Sequence, residues 1–242
     1  MAAEVIVVVG ACGGVGTSTL AALLARRRAV DGRTVLVDLD HGHGGAEVLL
    51  GVEDRPGARW ADLQHVRGTL APAALEEMLP RWGAVEVLSG DRRAEPPDAA
   101  AAESVWQALV DGCDSIVVDL PAHGLVMAGA AASVSKDAGV VAALRSRTDL
   151  LLVTGQDVLG VAAGLVVRRA TAGPVQLVLR RRPAARVGPL EAAHLLDAPL
   201  LALLPQDRRV AEAVDRGFGP LVPERSRLGR AVTRIARGSG HG

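Results

Sequence analysis

Short unbroken apolar runs alternate along this chain with longer stretches in which apolar residues recur every three or four positions. Compact runs of β-branched residues and leucine, closed by Gly or Pro, read as strands buried on both faces of a parallel sheet. Residues 4–9, EVIVVV, are the first of these. Residues 17–30, TSTLAALLARRRAV, then carry Leu20, Leu23 and Leu24 on one helical face, with arginines at the C-terminal end where the helix dipole favours cations. A turn, DGR, leads into a second strand over 33–38. Residues 41–70 are rich in Gly, His and Pro, with room for a short helix near 45–50.

The same alternation continues to the end of the chain. It predicts a helix near 71–79, a strand near 84–88, a helix over 99–111 and a strand within CDSIVVDLP, closed by Pro121. Ala-rich helical sequence fills 124–147. Strands follow over 149–155, 175–180 and 199–205, separated by helices over 156–171 and 189–196, and two helices over 207–216 and 225–237 close the pattern. Strands alternating with helices throughout mean an α/β fold with a doubly wound, mostly parallel sheet flanked by helices. No linker divides the sequence and no repeat is visible, so residues 1–242 read as a single domain.

Composition changes this picture in three ways. The 27 basic residues balance 27 acidic ones, so no global charge argues for nucleic acid or membrane as a partner. Lys136 is the only lysine, and the abundance of Ala, Arg, Gly and Val reads as the signature of a high-GC genome. Cys12 and Cys113 have no metal-ligand spacing and are expected to be buried free thiols in a reducing cytoplasm. The N-terminus enters a strand at once, without the basic segment of a signal peptide, and no apolar run approaches the ~20 residues of a spanning helix.

The chemistry concentrates at residues 10–19, GACGGVGTST. Strand, glycine loop and helix is the context of a phosphate-binding loop of the form G-x-x-x-x-G-K-[ST]. Gly13, Gly14 and Gly16 permit positive φ and let backbone N–H groups face an anion, and the helix starting near Thr17 adds its unpaired N–H groups. Val15 lies within the loop, Ser18 stands where a hydroxyl would hold Mg²⁺, and Thr19 stands near the α-phosphate. Thr17 occupies the position of the lysine. A charge-assisted hydrogen bond contributes about 1.5–3 kcal/mol, so its loss weakens binding by ~10–100-fold. Phosphoryl transfer depends on positioning and charge stabilisation and should suffer more. Compositional bias would have replaced lysine by arginine, whereas this site is neutral, so the charge was not required there.

Four segments in order carry a more specific resemblance: GACGGVGTSTLAALLA, TVLVDLDHGHGGAEVLLGVEDRPGARWADL, DSIVVDLP and PLLALLPQDRRVAEAVDRGFGP. Together they resemble the MinD/ParA family of deviant-Walker P-loop ATPases, and within it the CpaE/TadZ-like branch. That branch includes septum-site-determining-type proteins of high-GC bacteria associated with Tad-type pilus or secretion systems. The resemblance covers nearly the whole chain. It implies a doubly wound P-loop NTPase fold, ATP or ADP with Mg²⁺ as cofactors, and a homodimer that sandwiches nucleotide. Cys12 occupies the place of the family's signature lysine in K-G-G-x-G-K-[ST], and Thr17 that of the second. Asp38 and Asp40 match the two aspartates that organise Mg²⁺ and activate water in active relatives. Asp119 matches the Walker B aspartate that, with Ser18, holds Mg²⁺. Pro205 and Asp207 in LPQD match the family's IPED beside the adenine. The base-reading Asn is absent, and VLRRRP places Arg180 or its neighbours there. The receiver-like domain that precedes some relatives is not expected, since the sequence opens on the first strand.

Other candidates weigh less. His41 and His43 read as exposed loop residues in a segment that is a switch in active relatives. Trp60 is either an anchor for a partner or packing beneath its loop. Residues 225–237 place Leu228, Val232 and Ile235 on one face among arginines, and read as a helix docked on the domain ahead of a membrane-binding one. The clusters Arg26–Arg28 and Arg180–Arg182 read as solvated faces ahead of DNA contacts. The resulting expectation is a cytoplasmic localisation or assembly protein that binds ATP weakly or not at all, with weak or absent ATPase activity, bound to protein partners at the cell envelope or division site. The alternative is an active Mg-ATPase acting as a DNA- or membrane-surface switch.

Overall fold

The structure is a computed structural model. It describes residues 3–40, 45–93, 97–125, 143–144, 147, 149–171, 173–182 and 185–238. The first predicted strand is β1 (Glu4–Gly10), and the helix after the glycine loop is α1 (Thr17–Arg28). There follow β2 (Thr34–Asp38), α2 (Gly45–Leu50), α3 (Trp60–Leu63), α4 (Pro72–Met78), β3 (Arg81–Trp82), β4 (Val85–Leu88), α5 (Ala99–Gly112) and β5 (Ser115–Leu120). The second half contains β6 (Asp149–Gly155), α6 (Val158–Ala170), β7 (Gln176–Arg180), α7 (Pro189–Leu195), β8 (Leu200–Leu204), α8 (Arg208–Asp215) and α9 (Arg227–Gly238). His41, His43 and most of the helical stretch expected over 124–147, including Lys136, lie outside the described residues.

The strands form one sheet in the order β3-β4-β2-β5-β1-β6-β7-β8. All pairings are parallel except that of β3 with β4. The antiparallel β3 is a two-residue edge strand that the apolar pattern did not anticipate, because RW is too short to show any period. The chain leaves β1 towards β2 and later crosses to β6 on the other side. The sheet therefore changes direction at β1, and ligands in such folds bind outside the C-terminal strand ends at this point.

Alternation along each strand divides the core into two layers. Ile6 and Val8 of β1, Leu36 of β2, Val117 of β5 and Val178 of β7 face one side, where α1, α2, α8 and α9 pack. Val5, Val7 and Val9, with Val35, Ile116, Leu177 and Leu179, face the other, with α3 to α7. Residues of α1 from Leu20 to Ala25 are all buried, which makes this helix the centre of its layer. The face of α9 made by Leu228, Val232 and Ile235 is buried against the same layer, so its apolar residues are already used in the fold. Among the described residues no helix is long and apolar enough to cross a membrane.

Candidate phosphate site

The loop between β1 and α1 takes its shape from its glycines. Gly14 and Gly16 have φ of 73° and 90°, a region that strains any side chain. Gly16 is the N-cap of α1 and provides no side-chain cap, so the first N–H groups of the helix remain available to an anion. Val15 buries its side chain in the α1 layer and contributes only backbone to the loop. Thr17 is turned downwards: a Cβ on Gly10 would overlap its Oγ1, so its hydroxyl fills the crevice above the end of β1. The side chain at the lysine position therefore lies against Gly10 at the end of β1, on the edge of the cavity.

Three acids stand at the neighbouring strand tips. Asp38 and Asp119 are paired in register on β2 and β5, and both are buried. Burial, reinforced by the charge of Asp119, pushes the Asp38 carboxyl up to about 7. Burial likewise raises Asp119 to about 6, against the opposing effect of a hydrogen bond donated by the Ser18 hydroxyl. The backbone N–H of Asp40 donates to Oδ1 of Asp38 at 2.9 Å, and that of Ala46 to Oδ2 at 2.7 Å. Asp38 thus ties the end of β2 to the start of α2, while the half-buried Asp40 lines the open space.

These groups enclose a cavity of about 850 Å³ lined by Gly10, Cys12, Gly13, Gly14, Gly16, Thr17, Ser18, Thr19, Asp38, Asp40 and Asp119, together with Pro121 and His123. The predicted loop and acidic residues are brought together here. Pro205 and Asp207 line a second cavity of about 480 Å³ with Arg180, Gln206, Leu23 and Val210. Gly16 and Thr19 line both, so the two spaces meet along the first turn of α1. Asp207 caps α8 through Arg209 N at 3.2 Å and pairs with the Arg209 guanidinium at 2.8 Å.

The donor set suits a nucleotide and Mg²⁺. Unpaired helix N–H groups, positive-φ glycines and a serine beside a buried aspartate match a polyphosphate with a hard cation. Among the described residues no group of three or more His, Cys, Asp or Glu side chains could hold a metal by itself. Mg²⁺ meets that condition, since it is bound through one or two carboxylates plus phosphate oxygens.

One expectation changes, and one choice between two readings is decided. Cys12 is exposed on the cavity wall instead of buried, because it lies where the glycine loop leaves the core; only Cys113 is buried, and both thiols are free. Trp60 is fully buried and packs beneath its loop. One buried pair was not foreseen. Arg59 Nε meets Glu47 Oε2 at 2.7 Å, linking the start of α3 to α2, and two charged residues in polar-looking sequence give no sign that they are interior.

No family model matches the chain. It is 34% identical over 239 residues to uncharacterized proteins from two strains of Mycobacterium tuberculosis, covering 96% of its own length. It spans 62% of the length of these curated relatives. A septum site-determining protein MinD from Synechocystis is 28% identical over 248 residues, with 97% of this chain and 88% of that protein covered. Among solved structures, a ParA family ATPase from Chlorobium tepidum superposes with a TM-score of 0.79 at 18% identity, covering 97% of this chain and 98% of the other. The MinD of Pyrococcus horikoshii, complexed with Mg-ADP, gives 0.70 at 21% identity, with 98% and 96% covered.

Proposed function

We propose, for a chain that has the ParA/MinD P-loop NTPase fold and resembles a MinD in sequence along nearly all its length, a localisation or assembly protein of the CpaE/TadZ type. It holds ATP or ADP weakly and turns it over slowly or not at all. The observation that carries this reading is Thr17, a neutral side chain lying against Gly10 at the lysine position of a glycine-rich phosphate loop. Gly13, Gly14 and Gly16 with the N–H groups of Thr17, Ser18 and Thr19 would hold the phosphates, and Ser18 and Asp119 the Mg²⁺. When bound, Mg²⁺ neutralises charge on the phosphate oxygens. Asp38 is committed to the backbone of Asp40 and Ala46, while Asp40 lines the cavity. No cation stands at position 17 to stabilise charge developing in the transition state, so the site favours binding over hydrolysis.

In this reading the chain dimerises and positions a Tad-type pilus or secretion machine, or the division site, from the cytoplasmic face of the membrane. A MinD relative and a MinD solved in complex with MinC support a role in placing other proteins. Phosphate release from Mg-ATP by the purified chain tests the proposal. Turnover near background, with affinity for ATP rising in a Thr17→Lys variant, is expected. Rapid Mg-dependent hydrolysis abolished by Asp40→Ala would instead establish the alternative, an active ATPase of the switch type.

A further inference from the structure

The phosphate loop lacks a lysine, yet a cation rests on it. Arg180 is the last residue of β7, two strands away from β1 in the sheet. Strand alternation decides its direction: Leu177 and Leu179 enter one core layer and Val178 the other, so Arg180 shares the face of Val178, where α1 packs. Its backbone is held on both sides. The carbonyl of Arg180 accepts from Gln156 N at 3.0 Å, and Arg181 N donates to Leu204 O at 3.0 Å. From this fixed tip the side chain crosses to the glycine loop, where Nη1 donates to the carbonyl of Val15 at 3.4 Å. A Cβ on Gly16 would overlap Nη1. The guanidinium thus lies directly against the backbone of Gly16.

We propose that Arg180 supplies the positive charge of the phosphate site, binding the diphosphate of a nucleoside di- or triphosphate from the end of β7. The guanidinium is half-buried and has no carboxylate partner among the described residues. Its neighbours differ: Arg182 pairs with Asp157 at 3.2 Å and Arg209 with Asp207. Burial, and then the like charge of Arg182, lowers the Arg180 pKa, which marks a cation short of counter-charge. An anion relieves that deficit, and a planar guanidinium meets phosphate oxygens through paired N–H donors. The single bond to Val15 O is long and easily exchanged for one to phosphate.

Position selects the phosphates concerned. Arg180 lines the smaller cavity, and the Gly16–Thr19 edge joins that cavity to the larger one. A nucleotide with its terminal phosphate over the glycine loop, beside the Mg²⁺ that Ser18 and Asp119 would hold, and its base towards Pro205 would pass its inner phosphates along this edge. A cation there strengthens binding without reaching the bond that hydrolysis breaks. The inference rests on the nucleotide reading above and explains how such a site retains affinity while its turnover is low.

Calorimetric titration of the full chain with ADP, pyrophosphate and adenosine tests it. Arg180→Ala and Arg180→Gln should each lose ~10–100-fold in affinity for ADP and pyrophosphate, with unchanged thermal melting. Affinity for adenosine should stay the same, and Arg182→Ala should bind ADP like the parent. Adding Thr17→Lys to Arg180→Ala should restore ADP binding. Parental ADP affinity in both position-180 variants would overturn the assignment alone. An equal loss for adenosine would also overturn it, by placing the arginine at the base. If the parent binds neither ADP nor ATP at millimolar concentration, the nucleotide reading itself fails and this assignment with it.

Discussion

The indole N–H of Trp60 donates to the carbonyl oxygen of Asp38 at 2.9 Å. The ring is fully buried, and the backbone N–H of Trp60 donates to Ser89 O at 3.1 Å, so the residue is held between the tip of β2 and the chain after β4. Above it, the Asp38 carboxylate gathers the backbone of Asp40 and Ala46. A core side chain therefore sets the place from which an acidic residue shapes the ligand cavity.

Trp60→Phe should remove that donor while keeping most of the packing. A buried acceptor losing its partner costs about 1–3 kcal/mol, and Trp60→Ala, which also opens a cavity, about 3–5 kcal/mol. Urea denaturation measures both. A Phe variant as stable as the parent would show that the indole bond contributes nothing.

The Arg59–Glu47 pair lies in the same segment with both side chains buried, and Arg59 Nη1 and Nη2 also donate to Gly57 O and Val52 O at 3.0 Å. Removing one partner strands the other charge in a poorly solvated place. Arg59→Ala and Glu47→Ala should each destabilise by about 3–5 kcal/mol. The double variant should lose less than the sum of the two, which a double-mutant cycle reads directly.

Asp119 predicts a pH dependence. Its native carboxyl titrates at about 6, above the unfolded value of 3.8, mainly because of burial. As pH rises from the unfolded to the native value, the unfolded chain releases its proton first. The contribution of Asp119 to native stability therefore declines across this window and levels off above it. Asn carries no such charge, so Asp119→Asn should be the more stable protein at pH ~8, by about 1–3 kcal/mol. The difference should shrink as pH falls towards ~4. Denaturation curves of the unliganded proteins across this range provide the check, and a gap independent of pH would contradict it.

The two thiols should report on the cavity. Burial pushes Cys113 up to about 12, which leaves it protonated and shielded at neutral pH, whereas Cys12 is exposed on the loop. Only Cys12 should be alkylated by iodoacetamide in the native protein, and both after unfolding. Mg-ADP should slow the native reaction, because Cys12 lines the space it would occupy. Mass spectrometry of the labelled peptides distinguishes them, and modification of Cys113 in the native state would contradict its placement.

Periodicity located the strands and main helices to within a few residues, because burial on a parallel sheet demands continuous apolar runs such as EVIVVV and DLLLVTG. The loop at 10–19 and the acids at 38, 40 and 119 were legible as well, since each follows directly from the end of a strand. The edge strand β3 escaped notice for want of length, and the charged residues Glu47 and Arg59 gave no sign that they would be buried together.

Local pattern thus specified the α/β order, the glycine loop and the neutral residue at position 17, all features carried by neighbouring residues. The approach of Arg180 to Gly16, the downward turn of Thr17 and the anchoring of Asp38 by Trp60 required the assembled fold. Each joins segments remote in sequence. Strand order and the alternation of faces bring them together, and these follow from how the whole sheet packs.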